Sequence, residues 1–394
     1  MDGKKINNAI KAPPLGAGGT IYIHIPFCKQ ACHYCDFHFS TSMGKKEAMV
    51  GALIKELELR KGEFADEQVH SIYFGGGTPS VLDTSEIDRI LATIQQHYKI
   101  VKGPEITLEA NPDDLSEEKI WELANSPVNR LSIGIQSFFE SDLKMMNRAH
   151  NAGEAEACIS LAMAYFDNVS IDLIYGIPGM TDERWMANIE KALGFNVPHI
   201  SSYALTVEPR TALKSLIDKG IIAPVDDGAS AEHYHILCER LKAAGFVNYE
   251  FSNFGRPGFF SRNNTAYWQG KKYIGIGPSA HSYDGIHRGW NISNNTKYIK
   301  SIAQDILPKE TEELSKIDRY NEYIMTGLRT MWGVSLTHVQ EHFGREYHTY
   351  LMEQAMEKIK MGLLELENDN LTIAPKGKFL SDGIAADLFM VTLS

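Results

Sequence analysis

The most constraining feature of this sequence is a regular alternation of short apolar runs and longer amphipathic stretches, from residue 20 to about residue 206. Each apolar run is rich in β-branched residues and is followed by a segment with helical periodicity. Six such units predict an α/β fold with a parallel sheet covered by helices. Periodicity alone is compatible with an open sheet and with part of a barrel. The predicted strands are Ile21–Ile25, Ser71–Phe74, Ile106–Glu109, Leu131–Ile135, Val169–Ile174 and Ile200–Thr206.

The helical stretches between these strands carry recognisable start signals. Asp83, Ser116 and Thr181 have side chains that commonly accept a hydrogen bond from the first turn of a helix, so each predicts an N-cap. A further helix is expected over 229–245, followed by a strand near Val247–Phe251. The predicted helices of the first half cover 46–63, 84–99, 117–125, 152–165 and 182–194.

The second half of the chain changes character after this strand. A loop-rich stretch with many aromatic and Asn residues extends to about residue 300. After it, predicted helices followed by a hairpin resemble a winged-helix module. The acidic charge of the chain favours a packing role for this module over DNA binding. We expect a disordered leader (1–19), a core (20–250), an aromatic region (251–300) and a C-terminal domain (301–394). The predicted C-terminal elements are helices over 316–331, 336–344 and 347–361 and a hairpin within Leu363–Ile373.

Composition limits the partners and the location of the protein. The formal net charge is -11 without a local basic patch, so we do not expect nucleic acid as a partner. No apolar run is long enough to span a membrane, which leaves only peripheral association, and the leader lacks the apolar core of a secretory signal. The chain has 5 cysteines, an odd number, and three of them are clustered. This usage predicts a reducing, cytoplasmic setting.

Three cysteines follow the first predicted strand at the spacing C-x-x-x-C-x-x-C: Cys28, Cys32 and Cys35. Thiolates are the usual ligands of iron–sulfur clusters, and three of them leave the fourth iron of a four-iron cluster open to a small molecule. The alternative is a zinc site completed by a histidine, for which His24, His33 and His38 are the candidates. Cys158 and Cys238 lie in helical stretches and are expected to be buried free thiols.

Polar residues and glycines recur where the predicted strands end. Gly75-Gly76-Gly77-Thr78 follows the second strand, Glu109 ends the third and Gln136 ends the fourth. Parallel βα folds place their active sites at the carboxyl ends of the strands. Because glycines allow close backbone approach, carbonyl and N–H groups there can bind an amino acid. Because such residues recur at the ends of several strands, a shared ligand-binding site is favoured over isolated helix caps or turns.

At these residues the sequence resembles the radical S-adenosylmethionine (SAM) superfamily, whose motif is C-x-x-x-C-x-aromatic-C, with Tyr34 as the aromatic residue. More narrowly it is similar to the oxygen-independent coproporphyrinogen III oxidase group, and within it to the HemW type of heme chaperone. The resemblance covers nearly the whole chain. The matching stretches are YIHIPFC, YFGGGTPS, LEANP, RLSIGIQSF, SIDLIYGIPG, YALTVEPRT and YIGIGPSAHSY.

The resemblance implies a partial (β/α)6 barrel with a [4Fe-4S] cluster on Cys28, Cys32 and Cys35 and with SAM on the open iron. In the superfamily, one electron from the cluster cleaves SAM to methionine and a 5′-deoxyadenosyl radical, so an electron donor is an implied partner. The positions that match the SAM contacts of the family are Tyr22, Tyr34, Gly76, Gly77, Thr78, Glu109, Gln136, Arg148, Asp172 and Ala204.

Two departures separate the oxidase from the chaperone branch. The oxidase pattern has a fourth cysteine two residues after the third, where this chain has Phe37, and it has a longer N-terminal arm. Both favour the chaperone branch, which implies heme and an apo-hemoprotein acceptor as partners. Alternatives are the oxidase reaction, a radical oxidative decarboxylation of coproporphyrinogen III, and a non-catalytic binding or regulatory module with the same fold.

The chaperone branch carries an H-N-x-x-Y-W heme-binding motif, and this chain matches it with one change. Asn264, Tyr267 and Trp268 agree, whereas Asn263 stands at the histidine position. A carboxamide is a poor iron ligand compared with an imidazole. Three alternatives follow: another ligand such as His281 or His24, a porphyrin held by stacking on Tyr267 and Trp268, or loss of heme affinity. Ordinary aromatic packing is the further alternative for these two rings.

Overall fold

A central sheet organises the protein, and its first six strands are parallel and adjacent in chain order. The computed structural model describes residues 18–391. Because parallel crossovers are right-handed, strictly sequential order puts the connecting helices on one face, which is the winding of a barrel. The opposite face, here called the inner face, carries alternating polar residues. The six strands are β1 (Gly19–Ile25), β2 (Val69–Gly76), β3 (Ile100–Ala110), β4 (Arg130–Gln136), β5 (Val169–Tyr175) and β6 (His199–Ala204).

The helices on the outer face begin where the sequence predicted. Ser116 and Thr181 each accept a hydrogen bond from the backbone three residues on, and Asp83 forms a capping box with Glu86. The three predicted N-caps are therefore confirmed. The helices of this part are α1 (Lys46–Arg60), α2 (Thr84–His97), α3 (Glu117–Ala124), α4 (Glu140–Met145), α5 (Ala152–Tyr165), α6 (Asp182–Gly194), α7 (Ala212–Asp218) and α8 (Asp227–Ala243).

Residues 251–300 are more ordered than the predicted loop-rich stretch, because they add four short strands to the central sheet and include helical segments. β9 pairs in parallel with β1, and an antiparallel series continues from it to the sheet edge. Two short strands lie beyond β6 at the opposite edge. The elements are β7 (Val247–Glu250), β8 (Asn253–Gly255), α9 (Arg262–Trp268), β9 (Tyr273–Ile276), β10 (His281–Tyr283), β11 (His287–Asn291), α10 (Asn295–Ala303) and β12 (Lys309–Glu313).

The C-terminal part has its own apolar core, built by helices and a small three-stranded sheet. Together with the barrel, this confirms the predicted fold class, an α/β partial barrel with a C-terminal helical, winged-helix-like domain. The domain boundaries themselves stay a prediction. The elements are α11 (Lys316–Leu328), β13 (Val334–Ser335), α12 (Leu336–Phe343), α13 (Arg345–Lys360), β14 (Leu364–Glu367), β15 (Asn370–Ile373) and α14 (Ser381–Asp387).

Two predictions concern the chain ends and the membrane. The predicted leader, 1–19, lies outside the described residues except for Gly18 and Gly19, and Gly19 is the first residue of β1. Among the described residues, no helix combines the length and the apolar character that crossing a membrane requires.

A buried carboxylate on α1 joins this helix to the added strands. The Glu56 carboxylate is fully buried and accepts hydrogen bonds from Arg60 at 3.0 Å, from Asn291 at 2.7 Å, from the Gly277 N–H at 2.8 Å and from the Tyr298 hydroxyl at 2.5 Å. Such a carboxylate is stable in the interior because its oxygens are satisfied by donors. The interaction fixes the start of α10 and the β9–β11 strands against α1.

We predict that Glu56→Ala lowers the free energy of unfolding by about 3–5 kcal/mol, since the buried donors of Gly277, Asn291 and Tyr298 lose their acceptor. Arg60 keeps Glu63 as a partner. Urea denaturation followed by circular dichroism measures the change. Glu58→Ala, an exposed site on the same helix, is the control and should stay near the unaltered value. Equal midpoints for the two variants would contradict the role given to Glu56.

Candidate metal centre and cofactor site

The three cysteines lie on a loop that follows β1 at the carboxyl end of the sheet. The Cys28 N–H donates to the Ser40 carbonyl at 3.1 Å, which closes the base of the loop. Farther along, the His33 N–H donates to the Met146 carbonyl at 3.1 Å, and the His33 carbonyl accepts from the Leu213 N–H at 2.7 Å. Backbone contacts with the end of α4 and the start of α7 therefore hold the loop in place.

The thiols differ in burial. Cys28 is buried, whereas Cys32 and Cys35 are partly exposed, and burial raises the pKa of the Cys28 thiol to about 11. The thiols are close enough for the charge of Cys32 and Cys35 to act on the pKa of Cys28. Within 18–391, no group of three or more His, Cys, Asp or Glu side chains converges so that it could hold a metal ion. A four-iron cluster takes each thiolate on a separate iron, so its ligands need not converge on one point.

The histidines considered for a zinc site direct ring nitrogens elsewhere. Both ring nitrogens of His24 have partners, the Tyr22 hydroxyl at 3.2 Å and the His38 carbonyl at 2.9 Å. His33 Nδ1 lies 2.9 Å from the Met145 carbonyl, and His38 Nε2 lies 2.7 Å from Asn295 Oδ1. These contacts make the histidines supports of the loop.

The glycine loop after β2 packs under the cysteine segment. The Gly77 N–H donates to the Ile25 carbonyl at 2.9 Å, and the Thr78 N–H donates to the Phe27 carbonyl at 2.7 Å. A Cβ atom on Gly77 would lie 2.6 Å from the Phe27 carbonyl oxygen, so the close approach requires glycine. Gly76 has a φ of 105° and a Cβ there would meet the His24 ring. Since these N–H groups are engaged, the loop offers carbonyl oxygens to a ligand.

Arg148 reaches the cysteines from the loop after α4. Its Nη1 donates to Cys32 Sγ at 3.3 Å, and its Nη2 donates to Asn111 Oδ1 at 2.6 Å and to the Gly134 carbonyl at 2.8 Å. The Nε of Arg148 is buried without a hydrogen-bond partner. The guanidinium also lowers the pKa of the Tyr34 phenol, although burial keeps that pKa raised. An unsatisfied buried donor beside the thiols is suited to an anionic group.

Two carboxyl groups lie on the inner face below this loop. The Tyr73 hydroxyl donates to Glu109 at 2.6 Å, and the Tyr22 and Tyr73 rings stack with centroids 6.2 Å apart. Burial raises the pKa of Glu109 to about 7 and that of Asp172 to about 6, while the nearby Arg130 charge lowers both. Near neutral pH, Glu109 therefore exists in both protonation states.

Gln136 and Ala204 end β4 and β6 at the same edge of the sheet. Gln136 is buried with a φ of 68°, a left-handed conformation that is uncommon outside glycine and that accompanies an irregular register between β4 and β5. A Cβ atom on Gly134 would lie 2.8 Å from Gln136 Nε2, so the small residue makes room for the amide. Of the ten predicted SAM positions, Tyr22 and Asp172 therefore lie in the middle of their strands. The other eight lie at or near the carboxyl ends of the strands or in the loops beyond them.

The predicted heme residues lie at the other end, on α9. The backbone N–H groups of Arg262 and Asn263 donate to Glu105 at 2.9 and 3.3 Å, and Asn263 Oδ1 accepts from the Ser71 hydroxyl at 3.5 Å. Ser71 lies four residues before Gly75, which corresponds to about 13 Å along β2. The helix therefore covers the amino-terminal end of the strands, away from the cysteines.

The four heme positions have different surroundings on this helix. Tyr267 is 50% exposed and its ring lies 5.6 Å from that of Tyr273. Trp268 lies under the Arg329 guanidinium at 5.5 Å, so it is used in packing against the C-terminal domain. Asn264 is partly buried at the first turn, where its N–H is capped by Ser261.

The two alternative heme ligands also differ. His24 is buried with both ring nitrogens engaged, and burial lowers its pKa to about 4. His281 is exposed on β10, with its ring 6.2 Å from that of Trp290. Accessibility favours His281 over His24.

Sequence reasoning missed two residues of the site. Asn111 directs its side chain to Arg148 and to Thr78, and Tyr73 donates to Glu109. Asn111 follows Glu109 by two residues within LEANP, which was the available signal. Tyr73 lies two residues before Gly75 on the same strand, and residues two apart point to the same face of a sheet. This places Tyr73 on the inner face.

Comparison with known proteins agrees with this architecture. The family model described as the Radical SAM superfamily matches residues 22–192, and the HemN C-terminal domain matches 314–380. The coproporphyrinogen III oxidase HemN of Escherichia coli superposes with a TM-score of 0.82 at 20% identity over 99% of this chain and 94% of that chain. At this identity the likeness shows the fold alone. The fold and the matched domains define a radical SAM protein.

Curated relatives narrow the family. The proteins called heme chaperone HemW of Mycobacterium tuberculosis and Lactococcus lactis are 34% and 35% identical, over 96% and 93% of this chain and 96% of each relative. The mitochondrial radical S-adenosyl methionine domain-containing protein 1 of Mus musculus is 31% identical over 94% of this chain and 87% of the relative. The chain belongs to the HemW family of radical SAM proteins.

The raised pKa of Glu109 gives a prediction about stability and pH. Between the ordinary value of 4.5 and about 7, the folded protein holds a proton on Glu109 that the unfolded chain has released. Because the folded state then binds more protons, this group makes the free energy of unfolding fall as pH rises through that window. In Glu109→Gln, the free energy of unfolding measured by urea denaturation should fall less between pH 4.5 and 7 than in the unaltered protein. Glu58→Gln is the control, and an unchanged slope in Glu109→Gln would contradict the assignment.

Proposed function

We propose that this protein is a heme chaperone of the radical SAM type, which binds heme and transfers it to an apo-hemoprotein. The observation that carries the proposal is the 34–35% identity to proteins called heme chaperone HemW over nearly the whole chain. Phe37, at the position of the fourth cysteine of the oxidase pattern, supports it further.

Within this proposal, Cys28, Cys32 and Cys35 hold a [4Fe-4S] cluster. The residues present fit such a group, since the thiols lie on a tied loop and the buried Arg148 Nε lacks a partner beside them. When bound, the cluster supplies an open iron and one electron. Burial keeps Cys28 protonated in the metal-free protein, so ligation would release its proton.

The predicted SAM-binding residues would contact SAM through polar groups and aromatic rings that face the site. Carbonyl oxygens of the Gly75–Gly77 loop accept hydrogen bonds, which suits an ammonium group, and Arg148 suits a carboxylate. Glu109 is oriented by the Tyr73 hydroxyl toward the inner face. Tyr22 and Tyr73 supply stacked rings there, which suit a flat apolar or aromatic ligand portion.

Heme would bind at α9, through the exposed face of Tyr267 and the neighbouring Tyr273. Asn263 is a poor iron ligand, so the porphyrin plane contributes more than axial ligation at this helix. An acceptor protein could approach this end of the barrel without contacting the cysteine loop, because the two lie at opposite ends of the strands.

The first prediction concerns the cluster. After anaerobic reconstitution, Cys28→Ser, Cys32→Ser and Cys35→Ser should each lose most bound iron and sulfide, because each removes one of three thiolate ligands. Iron and sulfide analysis with absorbance spectra measures this. Cys238→Ser is the matched control, since Cys238 lies on α8 and outside the motif. Full cluster content in any of the three variants would contradict the ligand assignment.

The second prediction concerns heme. Tyr267→Ala should weaken heme binding roughly 2- to 13-fold, as expected for one aromatic contact of about 0.5–1.5 kcal/mol. Anaerobic titration monitored by absorbance measures the affinity, and Tyr165→Ala, an exposed tyrosine on α5, is the control. Asn263→His should bind heme more tightly than the unaltered chain, because it adds an imidazole to α9.

Two outcomes would overturn the function. Absence of heme binding by both the unaltered chain and Asn263→His would remove the chaperone proposal. Formation of protoporphyrinogen from coproporphyrinogen III, with the reconstituted protein, SAM and a reductant, would replace the proposal by the oxidase reaction.

A further inference from the structure

A chain of three side chains runs from the Cys32 sulfur through Arg148 and Asn111 to Thr78, which lies next to Cys28. Arg148 donates to Cys32 Sγ at 3.3 Å and to Asn111 Oδ1 at 2.6 Å. Asn111 Nδ2 in turn lies 3.3 Å from Thr78 Oγ1. Thr78 is buried next to Cys28, because its N–H donates to the carbonyl of Phe27, the preceding residue, at 2.7 Å. From there its hydroxyl lowers the pKa of the Cys28 thiol, against the larger effect of burial.

The direction of every proton in this chain follows from the arginine. A guanidinium donates and cannot accept, so the oxygen of the Asn111 amide must face Arg148. The amide nitrogen then faces Thr78 and donates to its hydroxyl oxygen. With that oxygen accepting, the single hydroxyl proton of Thr78 is free to point at Cys28. One amide orientation therefore aims a donor at each of two sulfurs.

Hydrogen bonds to ligating sulfurs change the redox properties of an iron–sulfur cluster. Donors stabilise the more negative, reduced state, so they raise the reduction potential. The Arg148 contact carries a full positive charge and is shielded from solvent, which strengthens it.

Asn111 also has a purely structural role, and that role uses different atoms. Its backbone N–H lies outside the side-chain network and donates to the Ser80 hydroxyl at 3.2 Å. Its carbonyl accepts from the Asp114 N–H at 3.1 Å at the turn after β3. Both contacts are made by the main chain, so a change of the side chain leaves them in place.

We propose that Asn111 is a positioning residue that raises the reduction potential of the cluster by aiming Arg148 at Cys32 and Thr78 at Cys28. The proposal rests on the cluster ligands proposed above. It assigns to Arg148 and Thr78 a contact with the thiolates in addition to any contact with SAM.

The test is the midpoint potential of the reconstituted protein, from an anaerobic titration followed by the electron paramagnetic resonance signal of the reduced cluster. Asn111→Leu has a similar size without charge or hydrogen bonds, and should shift the potential to more negative values. Thr78→Val should shift it in the same direction by a smaller amount, whereas Thr78→Ser should keep the unaltered value. Asn125→Leu, an exposed position at the end of α3, is the matched control and should cause no shift.

The double variant Asn111→Leu/Thr78→Val separates the two routes. If Asn111 acts partly through Thr78, the second change adds less to Asn111→Leu than it causes alone. Strictly additive shifts would overturn the Thr78 route.

The remaining outcomes decide the proposal. Asn111→Leu with a loaded cluster and an unaltered potential would overturn it. If Asn111→Leu fails to load, the Thr78 pair decides, and equal potentials for Thr78→Val and Thr78→Ser would overturn it. Absence of a cluster in the unaltered chain would overturn the proposed ligands, and this inference with them.

Discussion

Two backbone hydrogen bonds between the glycine loop and the segment before Cys28 hold the whole site together. Gly77 and Thr78 donate to the carbonyls of Ile25 and Phe27, and this clamp is possible because residue 77 has no Cβ. It brings the loop after β2 against the chain that leaves β1, and so fixes the first thiol beside the side chain of Thr78. Arg148, Asn111 and Glu109 then reach the same region from neighbouring strands.

Hydroxyl and cation partners reduce the cost of burying the polar residues of the site. Glu109 and Asp172 lie on the inner face, where burial disfavours their charge, yet each has a hydroxyl partner, from Tyr73 and Ser132. Arg130 supplies a positive charge near both. The inner face is thus polar, with partners for both carboxyl groups, while the outer face packs the apolar strand residues against the helices.

Local signals in the sequence were sufficient for the barrel strands and the helix caps. Apolar alternation located β1 to β6, and Asp83, Ser116 and Thr181 marked three helix starts correctly, because caps depend on residues three positions apart. β9 was not predictable in this way, since it pairs with β1 across about 250 residues of sequence and its four residues carry no distinctive period. The contacts of Asn111 were missed for a related reason. Its place in LEANP signals that it lies near Glu109, but its partners Arg148 and Thr78 lie on other loops, distant in sequence.

The long reach of β9 and α10 has a consequence for the order of events during synthesis. His38, three residues after the last motif cysteine, bonds to Asn295, and the carboxylate of Glu56 takes donors from Gly277, Asn291 and Tyr298. Contacts of such high sequence separation form late, after the loop-closure entropy has been overcome. About three-quarters of the chain must therefore be synthesised before these contacts, which include the hydrogen bond that supports the cysteine loop, can form. A cluster on the three proposed cysteine ligands would accordingly find its finished site only after most of the chain has been synthesised.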